Sequence, residues 1–206
     1  MSGPCGIVLA AGAGTRFGGP KALAYESPAP RGGAAPPGAA EDGPGAASRS
    51  WLLRAVATLR AGGCATVVVG LGAEAGAAEE ILRAADAEAV VVAVPGWREG
   101  VAATVRATLR AAGRTPAEAA VLVTVDTPAM PAAAVARVAA GAGADTLARA
   151  AYGGHPGHPV VIGRAHWEGV IAAVQGDRGA GPYLAARGAR DIPCDDLWSG
   201  ADRDTR

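Results

Sequence analysis

Arg16 and Lys21 are the two cations of a stretch that otherwise holds glycine, alanine and uncharged residues, Gly6–Leu23, GIVLAAGAGTRFGGPKAL. Their types suit phosphate: a guanidinium is a planar bidentate donor, and an ammonium is a compact charge on a mobile stem. Ahead of them the apolar run Ile7, Val8, Leu9 has the character of a central parallel strand. Ala10, Ala11, Gly12, Ala13 and Gly14 then remove side-chain bulk where that strand would end. Together with Thr15 they make a loop whose backbone N–H groups can approach a polyphosphate closely. The bland alternative is a structural strand and turn.

A second stretch with chemical content is Ala120–Pro128, AVLVTVDTP, an apolar and β-branched run that ends on a single acid, Asp126. An acid at the carboxyl end of a parallel strand faces the ligand crevice. Asp126 is then either the residue of an Asx-type turn before the helix that starts near Pro131, or a Mg²⁺ ligand. Beside a phosphate loop on the first strand, the metal reading is taken forward.

Two well-known glycine motifs do not fit the first stretch. The mononucleotide loop ends in Gly-Lys-Ser/Thr, whereas Lys21 stands between Pro20 and Ala22. The dinucleotide fingerprint would place its third glycine at Phe17. A version shifted to Gly12, Gly14 and Gly18 would put the ribose-binding acid in a Pro/Gly-rich tract where no strand ends.

The elements that must position these residues alternate. Trp51–Ala61 has the spacing of an amphipathic helix, Thr66–Leu71 of a buried strand, Ala73–Ala85 of an Ala/Glu-rich helix and Ala89–Val94 of a third strand. Trp97–Ala112 predicts a further helix with Val101, Val105 and Leu109 in register. A glycine turn and strand follow over Tyr152–Ile162, then helices over His166–Val174 and from Pro182, and an edge strand at Arg190–Cys194. Short apolar strands alternating with helices indicate a parallel sheet covered on both faces. The fold class expected is α/β, one domain over residues 1–206 with three α/β/α layers and a mostly parallel Rossmann-like sheet.

The segment L-A-A-G-x-x-x-R-x-G-x-x-K, here Leu9-Ala10-Ala11-Gly12, Arg16, Gly18 and Lys21, resembles the nucleotidyltransferases of GT-A fold. Within them it is most similar to the molybdenum cofactor cytidylyltransferase (MocA-like) group. Three later segments share the resemblance, which covers the chain from Gly6 to about Ala186 apart from Glu26–Ser50. Gly100 and Thr104 match a W-x-x-G-x-x-x-S segment that opens a helix beside the nucleotide. Gly157 and His158 match a G-H-P-V segment, and Asp177 a G-D-x-G-A segment. The resemblance implies a nucleotide site of Leu9, Ala10, Ala11, Gly12, Ala13, Gly14, Thr15, Arg16, Lys21, Gly100 and Thr104, with Mg²⁺ as cofactor on Asp126. Asp177 is either a cap or turn residue or a second acid near that metal. His158 has three readings: a substrate contact, a proton-transfer group or a structural residue. A phosphate nucleophile needs no strong base, so the first is preferred, with Gly157 beside it.

The reaction expected is attack of a substrate phosphate on the α-phosphorus of a nucleoside triphosphate, with pyrophosphate leaving. The catalytic residues expected are Arg16, Lys21 and Asp126. The Ala10–Ala11 pair favours CTP, with GTP the alternative, and the acceptor implied is a phosphorylated cofactor such as molybdopterin. The rivals are a guanylyltransferase acting on molybdopterin or phospholactate-type acids and a sugar-phosphate nucleotidyltransferase. From a different class comes a non-catalytic nucleotide-binding accessory protein. Transient contact with a molybdoenzyme is a further expectation of the resemblance.

Composition bounds the remaining classes. Nineteen basic and nineteen acidic residues balance to a formal charge of zero, which implies neither nucleic acid nor an anionic membrane as partner. No apolar run approaches the roughly 20 residues of a membrane span and no leader is evident, so a cytoplasmic location is expected. Cys5, Cys64 and Cys194 lie far apart and are expected to be reduced small hydrophobes rather than zinc ligands. Glu26–Ser50, ESPAPRGGAAPPGAAEDGPGAASRS, has no hydrophobic periodicity and is expected to be a mobile loop, either a lid or an inert insertion. Replacing Pro28–Ala47 with a short Gly/Ser linker should leave the melting temperature nearly unchanged, because so little apolar surface is present to lose. A drop of many degrees in a thermal melt would show that the tract is packed.

Overall fold

A computed structural model of the chain describes residues 3–26 and 49–204. The expectation for Glu26–Ser50 therefore falls outside the described residues, apart from Glu26, Arg49 and Ser50 at its ends.

Among the described residues, seven strands form one sheet: β1 (Cys5–Ala10), β2 (Thr66–Leu71), β3 (Val90–Ala93), β4 (Ala119–Thr124), β5 (Leu147–Tyr152), β6 (His155–Gly163) and β7 (Arg190–Pro193). Their order is β3-β2-β1-β4-β6-β5-β7. Strands β1 to β4 are mutually parallel, β6 runs antiparallel to both β4 and β5, and β7 is parallel to β5. Six strands thus share one direction. Among the described residues, six helices cover the faces: α1 (Trp51–Ala61), α2 (Ala75–Ala84), α3 (Val101–Ala112), α4 (Ala132–Ala139), α5 (Trp167–Ala173) and α6 (Gly181–Ala186).

Strand alternation divides the core in two. Val8 and Ala10 of β1 and Val121 and Val123 of β4 pack with α1, α2 and α4, while Cys5, Ile7, Ala120 and Leu122 pack with α3, α5 and α6. Helix α1 docks Trp51, Leu52, Ala55, Val56 and Leu59, a helical stripe, and its Ser50 hydroxyl oxygen accepts from the Leu53 N–H at 3.4 Å. The expected three-layer α/β/α domain is what these layers make. No helix among the described residues is long and apolar enough to cross a membrane.

The structure departs from the sequence expectation in three places. The helix expected from Trp97 does not start there: Trp97–Glu99 is a single 3-10 turn, and Gly100, at φ 105°, breaks it from α3. Strand β5 carried no clear signal, because Ala148, Ala150 and Ala151 are too small to mark an apolar face. The hairpin β5–β6 turns β6 against the other strands through Gly153 and Gly154, both at positive φ. The three cysteines are free and buried, as expected, and burial pushes Cys5 up to about 11 and Cys64 up to about 12.

Leu122 sits at the middle of β4 with 2% of its surface exposed, flanked by β1 and β6. Leu122→Ala should lower unfolding stability by about 2–5 kcal/mol, the range for a leucine removed from a packed core. Urea denaturation followed by circular dichroism measures this, and a change below 1 kcal/mol would mean that the core readily closes around the cavity.

Candidate active site

Parallel pairing of β1 with β4, from Cys5 opposite Ala120 to Leu9 opposite Thr124, brings the chain out of both carboxyl ends side by side. A cleft of about 750 Å³ opens there, walled by residues 9–17 with Lys21, by Thr124–Asp126, and on the far side by Trp97, Arg98, Gly100, Val101, Thr104 and Asp177. Asp204 also reaches into it.

The loop after β1 curls on itself. The Gly14 carbonyl accepts from the N–H groups of Phe17, Gly18 and Gly19 at 2.9, 3.0 and 3.1 Å, and Gly14 takes φ +57° to allow it. Phe17 is buried against Trp51 of α1, ring centroids 5.0 Å apart, which ties the loop to the core. The N–H groups of residues 12–16 have no partner among the described residues, although β1 and the Phe17 anchor hold both ends of the run. Consecutive unpaired backbone donors in a curled loop form an anion-binding concavity. Arg16 stands exposed on its rim with no carboxylate bound to it among the described residues.

Lys21 opens a 3-10 turn, Lys21–Leu23, anchored by buried Ala22. Its Nζ donates to Asp126 Oδ2 at 2.9 Å and to Asp204 Oδ1 at 2.8 Å. Burial works against the ammonium, but the bonds to Asp204 and Asp126 outweigh it and hold its pKa above the usual lysine value. The same contact with Lys21 holds the Asp204 carboxyl below the usual range.

Asp126 lies two residues past the end of β4, in a turn closed by the Thr127 hydroxyl donating to the Thr124 carbonyl at 2.8 Å. Its Oδ2 is engaged by Lys21, while its Oδ1 is buried without a partner among the described residues. A buried anionic oxygen without a donor is costly unless a ligand completes it. Carboxylate oxygens of Asp126, Asp202 and Asp204 all come within 4.8 Å of one another. Three hard oxygen donors at that spacing suit a divalent cation such as Mg²⁺ or Mn²⁺.

Asp202 and Asp204 arrive on the C-terminal segment, whose course is pinned at several points. Arg137 of α4 pairs with Asp196, Trp198 packs edge-on against Tyr152 at 5.4 Å, and the Arg203 N–H donates to the Asp126 carbonyl at 2.9 Å. Asp202 and Asp204 thereby bring their carboxylate oxygens to the same place beside Asp126. Sequence reasoning left this acidic tail without a role. The aromatic anchor Trp198 ahead of an Asp-x-Asp pair is the signal that could have found it.

The other residues expected at the site divide between the cleft and its surroundings. Leu9 to Arg16, Lys21, Gly100, Thr104, Asp126 and Asp177 all line the cleft. Gly100 sits so close to Gly176 and Asp177 that an added Cβ would lie 2.6 Å from the Asp177 Oδ1. Asp177 is thus on the α3 side and outside the carboxylate group of Asp126. Gly157 and His158 are not among the lining residues. His158 Nδ1 lies 3.2 Å from the Leu122 carbonyl oxygen, and burial lowers its pKa in spite of the negative Asp126 and Asp202 nearby. The carbonyl oxygen can only accept, so Nδ1 is the donor in this contact, which fixes the plane of the ring.

Among the described residues, loop N–H groups without partners, a lysine and a carboxylate set suited to a divalent ion lie together at the carboxyl edge of the sheet, an arrangement suited to phosphate groups. Residues 44–191, α1 to β7, match the MobA-like NTP transferase domain, and the chain belongs to that family. No curated protein sequence matches it. Among solved structures it is similar to Rv0371c from Mycobacterium tuberculosis H37Rv, at 28% identity and TM-score 0.70, covering 99% of this chain and 94% of that one. A manganese complex of Rv0371c aligns at 24% identity and TM-score 0.61, over 93% and 88% of the two chains. A nucleotidyl transferase from Methanothermobacter thermautotroptrophicus, Mth528, shares the fold at TM-score 0.70 and 18% identity, over 94% and 88%. The chain is a nucleotidyltransferase, and a nucleoside triphosphate is its substrate. The accessory, non-catalytic alternative falls away with that assignment.

A methyl group on Gly14 would run into the Gly19 carbonyl, and its φ disfavours any side chain. Gly14→Ala should therefore open the curl and weaken nucleotide binding by about tenfold or more, with a stability loss of about 1–3 kcal/mol. Nucleotide titration by calorimetry reads the first quantity, and unchanged affinity would remove the loop from the binding surface.

Proposed function

We propose that the protein transfers a nucleoside monophosphate, CMP in first place, from a nucleoside triphosphate to a phosphorylated small-molecule cofactor of the molybdopterin kind. An oxygen of the acceptor phosphate forms a bond to the α-phosphorus, the bond from that phosphorus to the bridging oxygen breaks, and pyrophosphate leaves with the electron pair. The observation that carries this reading is Lys21 beside Asp126 at the mouth of a loop in which the N–H groups of residues 12–16 have no partner among the described residues.

Each residue has a part in that step. The N–H groups of residues 12–16 and the Arg16 guanidinium hold the β and γ phosphates. Lys21 faces the α-phosphate, where charge grows in the transition state. Gly100 admits the nucleotide against the start of α3, and Thr104 lines the same wall. Asp126 is the metal ligand, and Asp202 and Asp204 are taken as its partners in preference to Asp177, because their oxygens approach that of Asp126. A divalent ion bound there would supply neutralising charge to the phosphate oxygens. The unpartnered Asp126 Oδ1 and the manganese held by the Rv0371c structure support that part of the reading, with Mg²⁺ the ion proposed here. His158 and Gly157 are proposed to face the acceptor rather than the triphosphate. A cytoplasmic location and transient contact with a molybdoenzyme that receives the product accompany the reading.

The test is pyrophosphate release from each of the four nucleoside triphosphates with molybdopterin as acceptor. CTP should give the highest kcat/KM; a preference for GTP would make the protein a guanylyltransferase, and no release with any would remove the acceptor assignment. Asp126→Asn keeps the shape of the turn but takes a full charge from the metal site. Turnover should fall by roughly a hundredfold or more, while nucleotide affinity without Mg²⁺ stays similar or rises as one repulsive charge is lost. Equal Mg²⁺ dependence in the two proteins would leave Asp126 as a turn residue only.

A further inference from the structure

Lys21 occupies the position of a cation. Its ammonium bridges Asp126 and Asp204 at 2.9 and 2.8 Å, with 15% of the side chain exposed, in the middle of the carboxylate group that suits a divalent ion. Two of the three carboxylates thus already have a positive partner. A divalent ion bound to those oxygens would stand within a few ångströms of the ammonium, and the two cations would repel each other. The carboxylates can serve one or the other.

Nothing in the fold requires Lys21 to stay. Its backbone is fixed by the turn over buried Ala22, but a lysine carries its ammonium on a four-carbon stem with several rotatable bonds, and the Nζ lies 5.9 Å from the centroid of the Phe17 ring. Asp204 is half exposed on the C-terminal segment, so releasing it disturbs no core packing. A second set of anionic partners for the ammonium arrives with the substrate, because the unpaired N–H groups of residues 12–16 draw phosphates to the same end of the cleft. A triphosphate provides what a bare ion lacks: oxygens that accept from Lys21 as it leaves the carboxylates.

We infer that Lys21 is an internal counter-ion that keeps a free divalent cation off Asp126 and Asp204, so that the site takes the ion only together with a nucleoside triphosphate. The inference rests on the reading of Asp126 as metal ligand. It assigns Lys21 two successive positions, on the carboxylates in the empty enzyme and on phosphate in the loaded one. It also makes the metal–nucleotide complex, rather than the separate ion, the species the enzyme recognises.

Mn²⁺ binding followed by electron paramagnetic resonance tests this without turnover. Wild type, Lys21→Met, Lys21→Arg and Asp126→Asn are titrated with Mn²⁺ alone and with Mn²⁺ plus the α,β-methylene analogues of CTP and GTP, after thermal melts confirm that each is folded. Lys21→Met should bind Mn²⁺ alone at least about tenfold more tightly than wild type, since a competing charge at contact distance is gone. Lys21→Arg, which keeps the charge, should bind it as weakly as wild type. Wild type should bind Mn²⁺ strongly once an analogue is present. Equal affinity of wild type and Lys21→Met for Mn²⁺ alone, lost in Asp126→Asn, would overturn the counter-ion role and leave the metal site standing. Tight binding by Lys21→Arg would do the same. Mn²⁺ binding with an analogue that is unchanged by Asp126→Asn, or absent in wild type, would overturn the metal site and the counter-ion role together.

Discussion

Negative charge has to be held together at the end of β4, and the rest of the active edge is arranged around that requirement. Asp126, Asp202 and Asp204 bring carboxylate oxygens within 4.8 Å of one another, which like charges resist. Two restraints act against the repulsion. Lys21 neutralises part of it through direct ion pairs, and the backbone supplies a bond that does not depend on charge, from the Arg203 N–H to the Asp126 carbonyl. The C-terminal segment is further fixed by Trp198 on Tyr152 and by Asp196 on Arg137, away from the charged centre. Apolar and ionic anchors outside the cleft thus hold in place acids that would separate if left to themselves.

The sheet explains why these groups meet at all. β1 and β4 are adjacent though a large part of the chain separates them, because β2 and β3 add to the other side of β1. Parallel neighbours deliver their carboxyl ends to the same edge, so a loop rich in unpaired N–H groups and an acid-bearing turn come to face one cleft. Glycine is required where the backbone itself makes the wall. Gly14 at positive φ closes the curl of the loop, and Gly100, also at positive φ, allows Gly176 and Asp177 to approach the start of α3.

The central strands and the helices beside them were legible because their signal is local. α1 and β2 have the bounds that apolar periodicity indicates, and Asp126 stands out as the one acid ending an apolar strand. The loop that walls the cleft after β1 stood out by composition, as small residues followed by two cations. The remainder depends on contacts distant in sequence. Strand β5 is mostly alanine and arginine and becomes a strand by pairing with β6 and β7, which no window of its own residues shows. The helix expected from Trp97 failed at Gly100 because the periodicity runs through the break while the backbone does not. Asp202 and Asp204 sit in a stretch without secondary structure, and contacts distant in sequence, the Trp198 anchor and the Arg203 bond among them, bring them to Lys21.

The same anchoring bears on the chain between Glu26 and Arg49. Its two ends are joined by the Tyr25–Ser50 bridge and by the Glu26 N–H donating to the Arg49 carbonyl at 2.9 Å. Arg203 then ties this neck to the C-terminal segment through Glu26, at 3.1 Å. Lys21 enters from one side of the neck and α1 leaves from the other. With both ends closed at one point, a change in the length of the intervening chain alters loop entropy only slowly. The neck is fixed by backbone bonds and the cleft beside it by the core beneath, so the two are held by separate sets of contacts.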